Sequence, residues 1–506
     1  MKKRLLTLFV LLAAFCMAFP APGKAMRDHS GGIPLERKTP VIPAQDIQRQ
    51  REYCEEVRGL NSQLARVPRA YVDTYGCQQN EADSELIRGM LTEMGYEITD
   101  TDEGADVIVI NTCAIREHAE QRVFGNLGAL THTKRRHPGQ KIFLCGCMAG
   151  EEKVSKRVRE SYPHVDGVFS THHLWQFPEI LYSVLTTKKR AFYIQDEPGS
   201  IAEGIPQVRD SGLKAWVSIM YGCNNFCTYC VVPYVRGRER SRRPEDIVAE
   251  ARELVASGVK DITLLGQNVN SYGRDLGTGV DFADLIAMIN DIPGDFLIRF
   301  MTSHPKDATE KLFRTMAQCS KCAHQLHLPV QSGNDRVLRA MNRSYTAEKY
   351  LAQVELARSY MPDLVLTTDI IVGFPGETDE EFEDTIRLCD KVRYDAMFTF
   401  IYSKRVGTPA ASMPDAATRE DKQRRFDRLL DAANRVSAEK HAEYIGKTVR
   451  VLVDGETGKA EYNLSSRTNG GRLVHLAGDP ALIGTFTDVK ITSGNTWALY
   501  GKVEEE

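Results

Sequence analysis

Between residues 215 and 444 an apolar, strand-like run followed by a helix-like segment recurs six times. The strand candidates are Ala215–Met220, Asp261–Leu265, Phe296–Met301, His324–Leu328, Val365–Val372 and Ala396–Tyr402. Their helices are Pro244–Ser257, Phe282–Ile292, Asp307–Gln318, Thr346–Tyr360, Asp379–Val392 and Thr418–Tyr444. Such alternation dictates a parallel sheet covered by helices. Six units are too few to close an eight-unit barrel, so the expectation is an open, partial (β/α)6 barrel. Polar or glycine-rich segments follow these strands: GCNNFCTYC, GQNVN, SHP, QSG and GFPGET. The carboxyl ends of barrel strands are where such folds place chemistry.

The same rhythm runs upstream. Ala70–Thr74 precedes a helix over Asp83–Met94, Asp106–Asn111 one over Glu117–Thr133, Lys141–Cys145 one over Glu151–Ser161, and Val165–Ser170 one over His173–Leu185. One cysteine lies just beyond each of the first three strands: Cys77, Cys113 and Cys147. In a parallel sheet these positions converge at one edge. From Gly446 onward the pattern changes to short strands, Thr448–Val453, Lys459–Ser465, Arg472–His475, Thr485–Ile491 and Ala498–Val503, which read as a small all-β barrel. The chain divides into an extension at 1–68, an α/β domain at 69–190, a linker at 191–208, the partial barrel at 209–441 and the all-β module at 442–505. Met1–Met26 has the basic start, apolar run and small residues of a signal peptide. We read it as a vestigial leader or misplaced start, because the rest of the chain needs a reducing compartment. The polar stretch that follows carries a helix over Asp46–Leu64.

A net charge of −3 over 506 residues excludes a global basic field, so a nucleic-acid partner must rest on local patches. Twelve cysteines are too few for a disulfide scaffold at this length. Their grouping is informative instead. Cys223, Cys227 and Cys230 form CxxxCxxC directly after a strand. Three thiolates hold three irons of a 4Fe–4S cube and leave the fourth open. Zinc is the rival, but structural zinc takes four ligands in paired spacing and no second pair lies nearby. The Cys319/Cys322 pair sits between a helix and a strand without a partner pair, and it reads as structural; Cys16, Cys54 and Cys389 match no motif. Cys145 is two residues from Cys147, on the same face of an ideal strand, and competes with it as a ligand. Tyr234, Arg236, Arg238, Arg240, Arg242 and Arg243 crowd one stretch after the cysteine loop and suit a phosphate backbone.

YGCNNFCTYCVVPYVRGRERSR resembles the signature of radical S-adenosylmethionine (SAM) enzymes. YGCQQNEADSE, NTCAIREHAEQ, CGCMA, LLGQNVNSYG, LHLPVQSGNDRVL and IIVGFPGET resemble the methylthiotransferases within that family, most closely the tRNA-modifying MiaB type. The likeness runs from Arg69 to about Val503. It implies an N-terminal cluster domain, a radical SAM barrel and a TRAM-like RNA-binding barrel. It implies two 4Fe–4S clusters, one on Cys223, Cys227 and Cys230 and an auxiliary one on Cys77, Cys113 and Cys147. It places SAM beside Tyr229, Gly266, Gln267, Asn268, Gln331, Ser332, Gly373, Gly376 and Glu377. The implied reaction converts N6-isopentenyl(dimethylallyl)adenosine at tRNA position 37 to its 2-methylthio derivative. One SAM is the methyl donor, and a second gives the 5′-deoxyadenosyl radical that takes hydrogen from C2 of the adenine. No protein acid or base is assigned, since a C2–H bond is not acidic. The implied partners are a tRNA anticodon stem-loop, a flavodoxin-type electron donor and iron–sulfur assembly or sulfur-supply proteins. The implied place is the cytoplasm, with no membrane. The alternatives are the same chemistry on threonylcarbamoyladenosine or a ribosomal-protein aspartate, or an RNA-binding iron–sulfur protein without catalysis.

Overall fold

The computed structural model describes residues 41–114, 117–194 and 199–504, and for 117–119 the backbone alone. The leader-like stretch, with Cys16, and the polar tail as far as residue 40 lie outside the described residues. Helix α1 (Ala44–Asn61) leads into β1 (Arg69–Thr74), α2 (Gln78–Glu93), β2 (Glu97–Thr99), β3 (Val107–Thr112), α3 (Glu117–Arg136), β4 (Lys141–Gly146), α4 (Glu152–Ser161), β5 (Gly167–Phe169), α5 (Phe177–Thr187) and β6 (Ala191–Tyr193). The strands form one parallel sheet in the order β2-β1-β3-β4-β5-β6. The VIVINT run of β3 is buried throughout because helices cover both sheet faces. Val107, Val109, Phe143 and Cys145 share one core with α1, α2 and α5. Ile108, Ile110, Ile142 and Leu144 share the other with α3 and α4. The four expected strands are present. The three-residue edge strands β2 and β6 add to them.

The second half supplies β7 (Lys214–Ser218), β8 (Met220–Tyr221), α6 (Val232–Val235), β9 (Arg240–Ser241), α7 (Pro244–Ala256), β10 (Asp261–Leu265), α8 (Phe282–Asn290), β11 (Leu297–Phe300), α9 (Glu310–Gln318), β12 (Gln325–His327), α10 (Asp335–Ala340), α11 (Ala347–Tyr360), β13 (Val365–Val372), α12 (Asp379–Val392), β14 (Ala396–Ile401) and α13 (Arg419–Ala442). Two parallel sheets, β11-β10-β7 and β12-β13-β14, meet through the Ile298–Cys322 bridge. The result is a six-stranded arc, and among the described residues no pairing joins β14 back to β7. The first expected strand breaks at Ile219, so that Met220–Tyr221 turns away to pair antiparallel with Arg240–Ser241. Cys319 and Cys322 are buried in the barrel core, and Cys389 lies in the same core.

The C-terminal strands β15 (Thr448–Glu456), β16 (Leu464–Thr468), β17 (Leu473–Ala477), β18 (Phe486–Gly494) and β19 (Leu499–Val503) close a barrel in the order β15-β16-β17-β19-β18. β16 starts five residues later than expected, because Thr457 and Asn463 close a polar turn ahead of it. This module docks on the amino ends of the large barrel's strands. Arg299 donates to the carbonyls of Thr468 (3.0 Å) and Asn469 (2.6 Å), and Arg472 pairs with Asp395. A Cβ on Gly470 would lie 2.2 Å from Val365, so only glycine permits the approach. Among the described residues no helix is long and apolar enough to cross a membrane.

Candidate active site

The CxxxCxxC loop leaves β8 through Gly222, whose φ of +78° and closeness to the Arg238 carbonyl (2.0 Å from an ideal Cβ) demand glycine. Asn342 donates to the carbonyls of Asn225 (3.1 Å) and Phe226 (3.0 Å), and the Thr228 hydroxyl donates to Ala340 (2.8 Å). Phe226, between two of the cysteines, is held at φ +46°, a conformation costly for an aromatic residue and tolerated only where the surroundings impose it. The Arg343 guanidinium lies 3.6 Å from Cys227 Sγ. Burial pushes the thiols of Cys223 and Cys230 up to about 12, with Cys227 adding to both. Thiolates at these positions therefore need a cation to neutralise them.

Cys77 caps α2, Cys113 follows β3 and Cys147 follows β4. An ideal Cβ on Gly76 would sit 2.7 Å from Cys113 Cβ. Burial pushes the Cys147 thiol up to about 12, and neighbouring Cys113 and Cys77 add to the effect. Cys145 takes a different direction. It packs in the apolar core with Phe143 and Phe169, while Gly146 at φ +93° turns the chain and delivers Cys147 to a separate cluster with Ala114, Val231 and Val235. None of the six cysteines forms a disulfide. Among the described residues no three His, Cys, Asp or Glu side chains close round a single metal ion. Three thiolates are the donor set that an iron–sulfur cube takes, whereas structural zinc takes four ligands.

The carboxyl ends of the barrel strands hold a set of buried polar atoms without partners: both amide atoms of Asn270, Asn268 Oδ1, Ser303 Oγ, His304 Nε2 and Arg343 Nε. Buried polar groups are rarely left so, and a polar ligand between them is the ordinary remedy. His304 Nδ1 accepts from the Lys306 amide (3.2 Å), which leaves Nε2 as the donor, and burial lowers its pKa to about 2, so it stays neutral. Sequence reasoning did not name His304, Asn270 or Arg343, although GQNVN ends on Asn270 and SHP contains His304; Arg343 had no such signal.

Residues 217–389 match the radical SAM superfamily, 69–170 the uncharacterized protein family UPF0004 and 442–503 the TRAM domain. The chain is 47% identical over 472 residues to the tRNA-2-methylthio-N(6)-dimethylallyladenosine synthase of Acetivibrio thermocellus, covering 92% of this chain and 98% of the relative. The chain belongs to that synthase family. It is also 48% identical to the synthase of Thermoanaerobacter sp. (strain X514), over 90% of this chain and 95% of that one. In fold it is similar to the radical SAM methyltransferase TsrM from Kitasatospora setae (TM-score 0.51, 14% identity, 68% of this chain and 75% of that one). Membership of the radical SAM superfamily brings SAM and a 4Fe–4S cluster.

The expected SAM-contacting residues divide in two. Several are occupied within the protein. Gln267 accepts from the Gly222 amide, Asn268 donates to Asp307 (2.7 Å) and Ser332 lies against Thr385 (3.4 Å). Gln331 sits at φ +70°, and its backbone bridges to β13. Gly373 and Gly376, at φ +67° and +75°, form the GFPGET turn, and Tyr229 packs edge-on against Phe374 in that turn. Glu377 faces inward: it accepts from the Gly373 amide (2.6 Å) and Arg425 (3.3 Å). It braces the turn from within. These residues lie at the same strand ends as the unpartnered atoms above.

Burial raises the Glu377 carboxyl to about 7. The folded chain therefore binds a proton that the unfolded chain releases above about 4.5, so this group favours the fold at low pH. Its contribution is lost as pH climbs towards 7, by roughly 3 kcal/mol at most. Thermal melts of apoprotein should show wild type losing stability relative to E377Q between pH 5 and 8. A constant difference across that range refutes this.

The five-arginine patch is corrected by the structure. Arg236 is buried and pairs with Asp83 (2.7 Å). Arg240 is buried, and its Nη1 donates to the carbonyls of Arg236 (3.1 Å) and Arg238 (2.9 Å). Arg242 pairs with Glu203 (2.7 Å) and Glu250 (2.8 Å). Only Arg238, stacked over Phe226 at 4.3 Å, and Arg243 are exposed, with Tyr234 beside them.

Proposed function

We propose that this chain converts N6-isopentenyl(dimethylallyl)adenosine at tRNA position 37 to its 2-methylthio derivative. The observation that carries the reading is the pair of cysteine triads without disulfides, one beyond the strands of the N-terminal sheet and one beyond the first barrel strand, in a chain nearly half identical to the synthases along almost its whole length. In this reading Cys223, Cys227 and Cys230 hold the radical SAM cluster and Cys77, Cys113 and Cys147 hold an auxiliary one. When bound, these groups and SAM supply the one-electron cleavage and the methylthio sulfur that no side chain here provides.

The protein's own contribution is placement. Asn270, Ser303, neutral His304 and Arg343 offer hydrogen bonds to the polar ends of SAM, and the Gly373–Gly376 turn brings backbone close to its adenosine. Phe398 and Phe400 stand 49% and 39% exposed on edge strand β14. They pair with Asp369 and Ile371, away from the face that β13 buries through Ile370 and Val372. Two bare aromatic faces on the open side of the arc suit a base splayed from a single-stranded loop. Tyr234, Arg238 and Arg243 provide the exposed phosphate contacts, and the TRAM barrel a further one at the opposite end of the strands. A flavodoxin-type reductant, a sulfur-supply partner and a cytoplasmic setting complete the reading, since both clusters are oxygen-sensitive.

The test is anaerobic reconstitution with isopentenylated tRNA, followed by mass spectrometry of the digested nucleosides. A gain of 2-methylthio on isopentenyladenosine is expected. Active SAM cleavage with that nucleoside unchanged, and threonylcarbamoyladenosine modified instead, overturns the substrate.

A further inference from the structure

Two consecutive residues, Arg236 and Gly237, touch opposite cysteine triads. Arg236 Nε points at Cys147 Sγ across 3.0 Å, while the Gly237 carbonyl accepts the Cys223 amide at 3.1 Å. The second arm of the same guanidinium is held by Asp83 of α2 at 2.7 Å, with both side chains 5–6% exposed. Asp83 is itself fixed from the other side: Gln79, one turn earlier, donates to Asp83 (3.3 Å) and to Ser218 at the end of β7 (2.8 Å). Val231 and Val235, between Cys230 and Arg236, pack against Ala114 and Cys147. Gly237 takes φ +74°, and its ideal Cβ would lie 3.1 Å from Arg240, so the turn itself favours glycine.

We infer that the Arg236–Gly237 turn is the strut that sets the spacing of the two cysteine triads, and that Arg236 is a positioning residue for whatever group Cys147 holds. The physical case has three parts. A buried arginine is costly unless it is paired, and two of this one's donors are held, one by a carboxylate and one by a cysteine sulfur. A charged N–H donor on a ligating sulfur withdraws negative charge from it, which for an iron–sulfur group raises the reduction potential. A turn whose adjacent residues grip the two triads makes their separation a property of a few covalent bonds rather than of a large, deformable interface. Surface exposure to RNA, which the sequence suggested for Arg236, is incompatible with this burial.

The inference rests on the two-cluster reading, and one experiment separates the two. Wild type, R236M, R236K and D83N are reconstituted anaerobically. Iron content, the redox-titrated electron paramagnetic resonance of each cluster, and the ratio of methylthiolated nucleoside to 5′-deoxyadenosine are measured. R236M is expected to keep about eight irons and wild-type SAM cleavage without tRNA. Its auxiliary signal should change shape and titrate at more negative potential. The product ratio should fall at least tenfold, because transfer depends on the spacing and cleavage does not. R236K, which keeps the charge, should recover much of the potential, and D83N should fall between. Wild-type potential and product ratio in both R236M and D83N overturn the role of Arg236. Should R236M fail to accumulate, unchanged values in R236K and D83N together do the same. Wild type holding only about four irons sinks the two-cluster reading itself, and the strut with it.

Discussion

Cys227→Ala is expected to lower SAM cleavage by at least ~100-fold, beyond the ten- to hundredfold cost of losing an outer-shell partner. The residue is the middle of the CxxxCxxC triad, its carbonyl receives the Cys230 amide at 2.9 Å, and its sulfur meets Arg343. Two thiols cannot hold three corners of a cube, so the iron bound at this site should be lost as well. The effect should not come from unfolding. Removing one small buried sulfur costs on the order of 1 kcal/mol, and the loop remains pinned by Asn342 and Thr228. The informative control is Cys322→Ala, also buried but in the barrel core. It should melt slightly lower and cleave SAM as wild type does. Anaerobic cleavage assays with iron determination check both. A Cys227→Ala protein with full iron and normal cleavage would remove the basis for the assigned site.

Where the sequence was legible, local and long-range signals agreed. Val365–Val372 and Asp379–Val392 were read to the residue. One is an apolar run buried under helices, and the other is announced by the Thr378/Glu381 capping box. The edge strands β2 and β6 were not legible, because three residues carry too little periodicity to stand out. The arginine stretch failed for another reason. Five guanidiniums in eight residues look like a basic surface, but their facing is set by Asp83, 153 residues upstream, and by Glu203 and Glu250. Composition within a window cannot see such partners. The polar loops at the strand ends were legible as loops and illegible as side chains. GQNVN and GFPGET were found, yet Gln267, Ser332 and Glu377 spend their polar atoms inside the protein, and His304 and Arg343 point inward from segments that carried no glycine signal.

The neighbouring cysteines of β4 give the second large effect. Cys147→Ala is expected to leave SAM cleavage within about twofold of wild type and to reduce 2-methylthio formation at least ~100-fold, whereas Cys145→Ala should leave both intact. Strand alternation alone places the two sulfurs on one face. Gly146 removes that equivalence. Its φ of +93° ends the strand, and an ideal Cβ there would lie 2.4 Å from both Asn111 Oδ1 and the Thr112 carbonyl, so no other residue makes this turn at so low a cost. Beyond the turn the Cys147 amide is held by Thr112 (2.9 Å) and its sulfur by Arg236 (3.0 Å). Cys145 stays behind among Phe143, Phe169 and Val109. Truncating it opens a small cavity and costs roughly 1–2 kcal/mol of stability, visible in a thermal melt and not in the nucleoside profile. The two variants thus exchange phenotypes if the assignment is reversed. A stable, methylthiolating Cys147→Ala beside an inactive Cys145→Ala would move the third ligand into the strand and leave Arg236 without a charged partner at Cys147.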